Sequence, residues 1–231
     1  MNTTFKTLAS LALLSPMANG ALVALNFQGN QVANLLPGTT AGSNAGTIIP
    51  QRNWNNALNG NNIPNSLALI SSTGIASGLT AAWNGPDSWN AGGPVGASGN
   101  EQMSYGFMKS SNLANGTVTF SGFAIGTLFD MVIYTASDNV GAPGTYTLDD
   151  TLSSTATFGM GAGNTATFTD NSTRHAFTNL TAVGGSVTLT MSGNGAGLAG
   201  VQFSVIPEPS AASLIGLGAL GLLARRKRSQ A

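Results

Sequence analysis

Between residues 21 and 205 no stretch sustains a helical repeat of apolar residues over three turns. Apolar and polar residues instead alternate in short runs, each ending at Gly, Asn, Asp or Ser. A period of two sends successive side chains to opposite faces of an extended chain, so these runs read as half-buried β-strands. The clearest is Gly116-Thr117-Val118-Thr119-Phe120-Ser121-Gly122-Phe123. Others fall at 21–27, 129–136, 145–148, 154–158, 165–169, 186–191 and 198–205. The loop-rich stretch 28–100 adds candidates at 67–70 and 79–83. Many short strands separated by turn clusters favour a sandwich or barrel over a βαβ fold. The expectation is an all-β chain with a single β-sandwich over residues 21–205. Thr155-Ala156-Thr157-Phe158 recurs as Thr165-Ala166-Thr167-Phe168 across a Gly-rich turn, which predicts a β-hairpin. One pair is too few units for a solenoid.

Charge is scarce, and its placement matters more than its total. Only 7% of residues are charged, against about 25% in an average soluble protein. Gly, Asn, Ser and Thr do the solvating, as suits an extracellular β-domain with many turns. Lys6 lies near one end; Arg225, Arg226, Lys227 and Arg228 lie near the other. Between them Arg52, Lys109 and Arg174 face seven acids, Asp87, Glu101, Asp130, Asp138, Asp149, Asp150 and Asp170, leaving the body at net −4. That balance offers no basic footprint, so no nucleic-acid partner is expected. The absence of cysteine removes thiolate nucleophiles, thiolate metal sites and disulfides.

Both ends read as addresses. In residues 1–20, Lys6 precedes an apolar run from Leu8 to Leu14, Pro16 breaks it, and Ala18-Asn19-Gly20 supplies small residues for cleavage after Gly20. Charge, apolar run and small-residue site in that order make a secretory signal peptide, with signal peptidase and the secretion machinery as partners. Residues 206–231 also have three parts. Pro207-Glu208-Pro209 is held extended, because proline fixes its own φ and restricts the residue before it. Ser210 to Ala224 is apolar and uncharged, and Arg225 to Arg228 is basic. The 15 apolar residues span about 22 Å as a helix, short of the ~30 Å hydrocarbon core. Snorkelling basic side chains and local thinning accommodate a short span, so a single transmembrane helix is expected. Its basic flank belongs on the cytoplasmic side, with the body outside.

This tail, from Ile206 to Arg228, resembles the PEP-CTERM sorting signal of Gram-negative bacteria. The resemblance implies an exosortase-type membrane processing enzyme as partner. It implies that Pro207, Glu208 and Pro209 are the recognition and processing site. Ser210 to Ala224 would be a transient anchor, and Arg225, Arg226, Lys227 and Arg228 a stop-transfer block. The implied route is export across the inner membrane, brief membrane anchoring, then the envelope, surface or extracellular matrix. The family's tail is also attached to some ice-binding proteins. The body resembles the globular regions of other PEP-tailed exported proteins through Asn26-Phe27-Gln28-Gly29, the Phe129 to Tyr134 strand, and Gly200-Val201-Gln202-Phe203. Phe129 stands where that pattern carries Tyr. This second resemblance implies a jelly-roll-like sandwich.

Few body residues offer chemistry. His175 is the only histidine. No Gly-x-Ser-x-Gly elbow accompanies it, and its surroundings read as a solvated loop. Asp149 and Asp150 are the calcium candidates, as adjacent oxygen donors without an Asp-x-Asp-x-Asp-Gly loop; a glycosidase pair is a weaker use of the same acids. The Gly195-Gly197-Gly200 and Gly216-Gly218-Gly221 strings lack the strand-turn-helix context of a dinucleotide site. Trp54, Trp83 and Trp89 sit in Asn/Gly-rich surroundings, where an exposed indole stacks on sugar rings; core packing is the competing use. Thr-x-Thr pairs recur at 117/119, 145/147, 155/157, 165/167 and 188/190. They lack a fixed period, so ordinary outward-facing threonines are expected rather than a flat array.

The reading that results is an exported, non-catalytic cell-surface or exopolysaccharide-matrix protein without a cofactor. A module binding secreted polysaccharide is the alternative, with a glycan hydrolase or an ice-binding protein behind it.

Overall fold

A computed structural model describes residues 22–29, 51–57, 65–91, 98–111 and 113–205. The signal peptide expected at 1–20 and the tail expected at 206–231, with its processing site, membrane helix and basic block, lie outside the described residues. Among the described residues no helix is long and apolar enough to cross a membrane.

Two sheets carry the fold. The first joins β11 (Arg174–Thr181), β8 (Leu128–Thr135), β13 (Gly197–Val205), β1 (Leu22–Phe27) and β2 (Asn55–Ala57), in that order. The pair β5 (Asp87–Asn90) and β6 (Gly106–Lys109) joins it through β6 and β13. The second runs β10 (Thr155–Gly159), β9 (Pro143–Leu148), β12 (Ser186–Ser192), β7 (Gly116–Ser121), β4 (Ala76–Asn84), β3 (Asn65–Ile70). All pairings are antiparallel except β1 with β2. The expected all-β sandwich is present.

Alternation decides which side chains meet between the sheets. β7 buries Val118 and Phe120, β12 buries Val187, Leu189 and Met191, and β4 buries Leu79, Ala81 and Trp83. Facing them are Val23, Leu25 and Phe27 of β1, Met131 and Ile133 of β8, and Val201 and Phe203 of β13. Phe120 meets Phe203 edge-on at 4.6 Å between ring centroids, an inter-sheet aromatic contact.

The first sheet is also covered on its outer face. α1 (Gly99–Tyr105), started by a Ser98/Glu101 capping box, sets Met103 against it. Met103, Trp54 and Phe168 pack with Ala24, Val132 and Tyr134 in a second, smaller cluster. Gly200 permits that approach: a Cβ there would lie 3.1 Å from both the Met103 sulfur and the Leu25 carbonyl oxygen. Central strands buried on both faces lose clean alternation, as β13 shows along nearly its whole length.

Two expectations are corrected. β10 pairs with β9, not with residues 165–169, which form no strand; the repeated Phe168 instead fills the second cluster. The stretch around His175 is not a loop but strand β11. Its register shifts between Phe177 and Leu180, and Asn179 takes a positive φ of 57°. That irregularity erases the period-two pattern by which a strand is read from sequence.

Candidate functional site

The three tryptophans part company. Trp54 is 1% exposed and Trp83 6%. Trp54 donates through Nε1 to the Gln51 carbonyl at 3.2 Å and meets Tyr134 edge-on. Trp83 lies between the sheets against Phe27. Both are packing residues: Trp83 points inward from β4, and Trp54, just before β2, packs in the cluster over the outer face of the first sheet, so neither offers a face to a sugar. Trp89 is 44% exposed on β5. Lys109 Nζ stands 5.4 Å from its ring centroid and pairs with Asp138 at 2.7 Å. The Trp89, Lys109 and Asp138 group was not visible as a unit in the sequence, since β5–β6 pairing and the β8–β9 connection bring it together.

The acids are occupied by turns. Asp150 is buried and accepts from the Ser154 backbone N–H at 2.8 Å and its hydroxyl at 3.1 Å. Asp149 accepts from the Thr188 backbone N–H. Among the described residues no group of three or more His, Cys, Asp or Glu converges. Asp149 and Asp150 therefore brace the exit of β9 and do not converge on a common point with other acids.

His175 is held between aromatics, 5.8 Å from Phe158 and 4.7 Å from Phe177 by ring centroid, with Nδ1 2.7 Å from Asn171 Oδ1. Burial pushes its pKa below the ordinary value, and the nearby Asp170 charge opposes that shift. Arg174 hydrogen-bonds Asp170 and holds that carboxyl below the usual range. Tyr134 and Tyr146 are pushed upward by burial; Tyr134 donates to Gln202 Oε1 at 2.9 Å and Tyr146 to the Gly197 carbonyl at 2.8 Å.

A polar seam runs along the outer face of the first sheet. Gln202 Nε2 donates to Gln51 Oε1 at 3.0 Å, and Asn26 to Asn56 at 3.1 Å. Where β1 ends, Gly29 packs so tightly on Asn90 that a Cβ would sit 1.9 Å from Asn90 Oδ1. Both side-chain amide atoms of the buried Gln28 find no hydrogen-bond partner among the described residues. The three stretches Asn26–Gly29, Phe129–Tyr134 and Gly200–Phe203 lie side by side here on β1, β8 and β13.

The outer face of the second sheet is different in kind. Strand pairing aligns Thr155, Thr147, Thr190, Thr117 and Asn84 in one rank across five strands. A second rank holds Thr188, Thr119, Ala82 and Ser66, and a third Ser186, Ser121, Thr80 and Ala68. Thr157, Thr145 and Ser192 form a fourth at the β10 end. Hydroxyls bridge strands at Thr119–Thr188 (3.0 Å), Thr145–Thr157 (2.9 Å) and Thr155–Thr147 (3.2 Å). These ranks contain no basic, aromatic or large aliphatic side chain; the one charged group at their edge is the exposed Asp149, which pairs with Thr188 at the β9 end of the second rank. The array discounted from the sequence for want of a fixed period is thus built by register between strands; only the 165/167 pair stays outside it.

Comparison with known proteins locates one feature. Residues 205–228 match the family model described as the PEP-CTERM protein-sorting motif. No curated protein matches the chain. Among solved structures, TmCBM61 in complex with beta-1,4-galactotriose is similar at 10% identity over 45% of this chain and 68% of that one, with a TM-score of 0.25. The enzymatically active domain of bacteriophage CBA120 tailspike protein 4 is similar at 10% identity over 56% of this chain and 20% of that one, with a TM-score of 0.27. At those scores neither likeness carries an argument about ligand or activity.

Proposed function

We propose, from the match of residues 205–228 to the PEP-CTERM protein-sorting motif, that the chain is a non-catalytic component of the cell surface or exopolysaccharide matrix of a Gram-negative bacterium. Residues 1–20 act as the signal peptide, residues 21–205 as the exported jelly-roll-like body, and residues 206–231 as the sorting tail. An exosortase-type enzyme reads Pro207, Glu208 and Pro209. Ser210 to Ala224 anchors the chain in the membrane until then, with Arg225, Arg226, Lys227 and Arg228 held on the cytoplasmic side. The observation that carries this reading is the sorting motif itself. The commitment of His175 to aromatic packing, and of Asp149 and Asp150 to turns, supports a body without catalysis. The mass of the protein isolated from its native host tests the reading. A mature chain from Ala21 to the Pro207–Pro209 region is expected; a chain still ending at Ala231 refutes the sorting role.

Trp89 favours a second reading, in which the body binds secreted polysaccharide through an exposed indole. Of the three tryptophans it alone has the exposure that stacking on a sugar ring requires. Its emission should shift when polysaccharide from the host is added, and the shift should vanish in Trp89→Phe.

A further inference from the structure

We propose that the outer face of the six-stranded sheet is a docking surface for an extended, neutral polysaccharide chain, bound through its ranks of threonine and serine. This rests on the reading of the protein as a matrix component and assigns the partner to a surface away from Trp89.

The first argument is repetition. Neighbouring strands lie about 4.8 Å apart, and outward residues recur along each strand about every 6.7 Å. The ranks Thr155–Thr147–Thr190–Thr117 and Thr188–Thr119 therefore present hydroxyls and methyls on a two-dimensional repeat. A small solute uses one or two such points. A polymer of hydroxylated rings engages many weak ones at once, and its affinity grows with the number engaged.

The second argument is preorganisation. The cross-strand bonds Thr119–Thr188, Thr145–Thr157 and Thr155–Thr147 fix hydroxyl rotamers before any partner arrives. β-Branched side chains on strands are already stiff at χ1. Little side-chain entropy is then lost on binding, which is what a surface built from weak contacts requires.

Charge and shape exclude the other occupants. The ranks carry no basic side chain, so an anionic polymer finds no counter-charge. They carry no aromatic or large aliphatic anchor, so a second copy of the chain finds none of the apolar core that protein interfaces bury. A rigid crystal plane such as ice fits poorly on a sheet of this size, since neighbouring strands in β-sheets generally rotate by roughly 20–25°, about 100° over six strands. A flexible chain follows that twist, whereas a flat plane meets only two or three strands.

The test uses the full chain with microcrystalline cellulose and cross-linked dextran as neutral probes, and alginate gel as the anionic one. Retention on a neutral probe is expected, with little on alginate. Soluble dextran should compete, and a short oligosaccharide should not. Thr119→Lys and Thr190→Lys, which put a charge in mid-rank, should each cut retention at least tenfold with an unchanged circular dichroism spectrum. Thr119→Ser keeps the hydroxyl and should keep binding. Ile125→Lys, at a loop residue 83% exposed, adds the same charge elsewhere and should bind as the parent does. No retention on either neutral probe overturns the proposal, as does retention that survives both lysines. Retention lost in Trp89→Ala instead moves the site to β5 and overturns it too. Ice shaping or self-association abolished by Thr119→Lys, without polysaccharide retention, assigns the face to those occupants. A processed tail with no retention refutes this inference alone; an unprocessed tail refutes the sorting role and leaves the docking result to stand by itself.

Discussion

Replacing Trp54 with alanine separates a packing tryptophan from an exposed one. Trp54 is 1% exposed, donates to the Gln51 carbonyl, and packs with Met103, Tyr134 and Phe168 over Gly200. Truncating a fully buried Trp to Ala costs about 3–5 kcal/mol through lost transfer energy and the cavity left behind. With a urea dependence of about 2 kcal/mol per molar, the unfolding midpoint should fall by roughly 1.5–2.5 M. Trp89→Ala loses a half-exposed ring and a Lys109 cation–π contact of about 0.5–1 kcal/mol, so its midpoint should move by no more than about 0.5 M. Both titrations should be followed by far-ultraviolet circular dichroism, because each substitution removes one of the three tryptophans and so changes the emission signal itself. A Trp54→Ala shift below about 0.5 M, or one equal to that of Trp89→Ala, would falsify the second cluster as a cooperative part of the fold.

Gln28→Leu should raise stability, by about 1 kcal/mol or more, because both buried amide atoms find no partner among the described residues and their desolvation is then uncompensated; a clear loss in urea titration refutes that account. Asp150→Ala should cost about 1.5–3 kcal/mol, the scale of hydrogen bonds to a charged acceptor, while a chelator leaves the melting of the parent unchanged; a chelator-sensitive melt would restore a metal role to these acids. His175 has its folded pKa lowered, so the unfolded chain takes up the proton first as pH falls. Its stabilising contribution is complete above the unfolded value of about 6.5 and declines as pH drops through the folded value. Comparing urea midpoints at about pH 7.5 and about pH 5 should give a smaller difference in His175→Gln than in the parent; equal differences refute the assignment. Substituting Pro207, Glu208 and Pro209 together by alanine should leave the tail on protein recovered from the host, read by intact mass.

Much of the fold was legible because its cause is local. In β7 the side chains alternate along one segment, with one face buried and the other wet, and the period survives in the sequence. In β11 a bulge and the positive φ of Asn179 break it, so the strand does not show in the sequence. α1 is only two turns long, too short to show a helical period. The repeated Thr-Ala-Thr-Phe reports composition and not pairing, because the choice of β9 as partner for β10 is made by the whole sheet.

The sequence by itself determined the C-terminal sorting motif, since such a motif is read as a linear string by the machinery that handles it. It also determined the all-β class, the acidic body, and the lack of thiol chemistry, because composition and periodicity are linear properties too. Tertiary structure alone decided which tryptophan faces solvent, since Trp54, Trp83 and Trp89 share similar Asn/Gly-rich surroundings and differ only in which layer covers them. It alone decided that threonines from β7, β9, β10 and β12 stand in ranks. Pairs at irregular distances along the chain become a regular array when strand register, not sequence spacing, sets their neighbours.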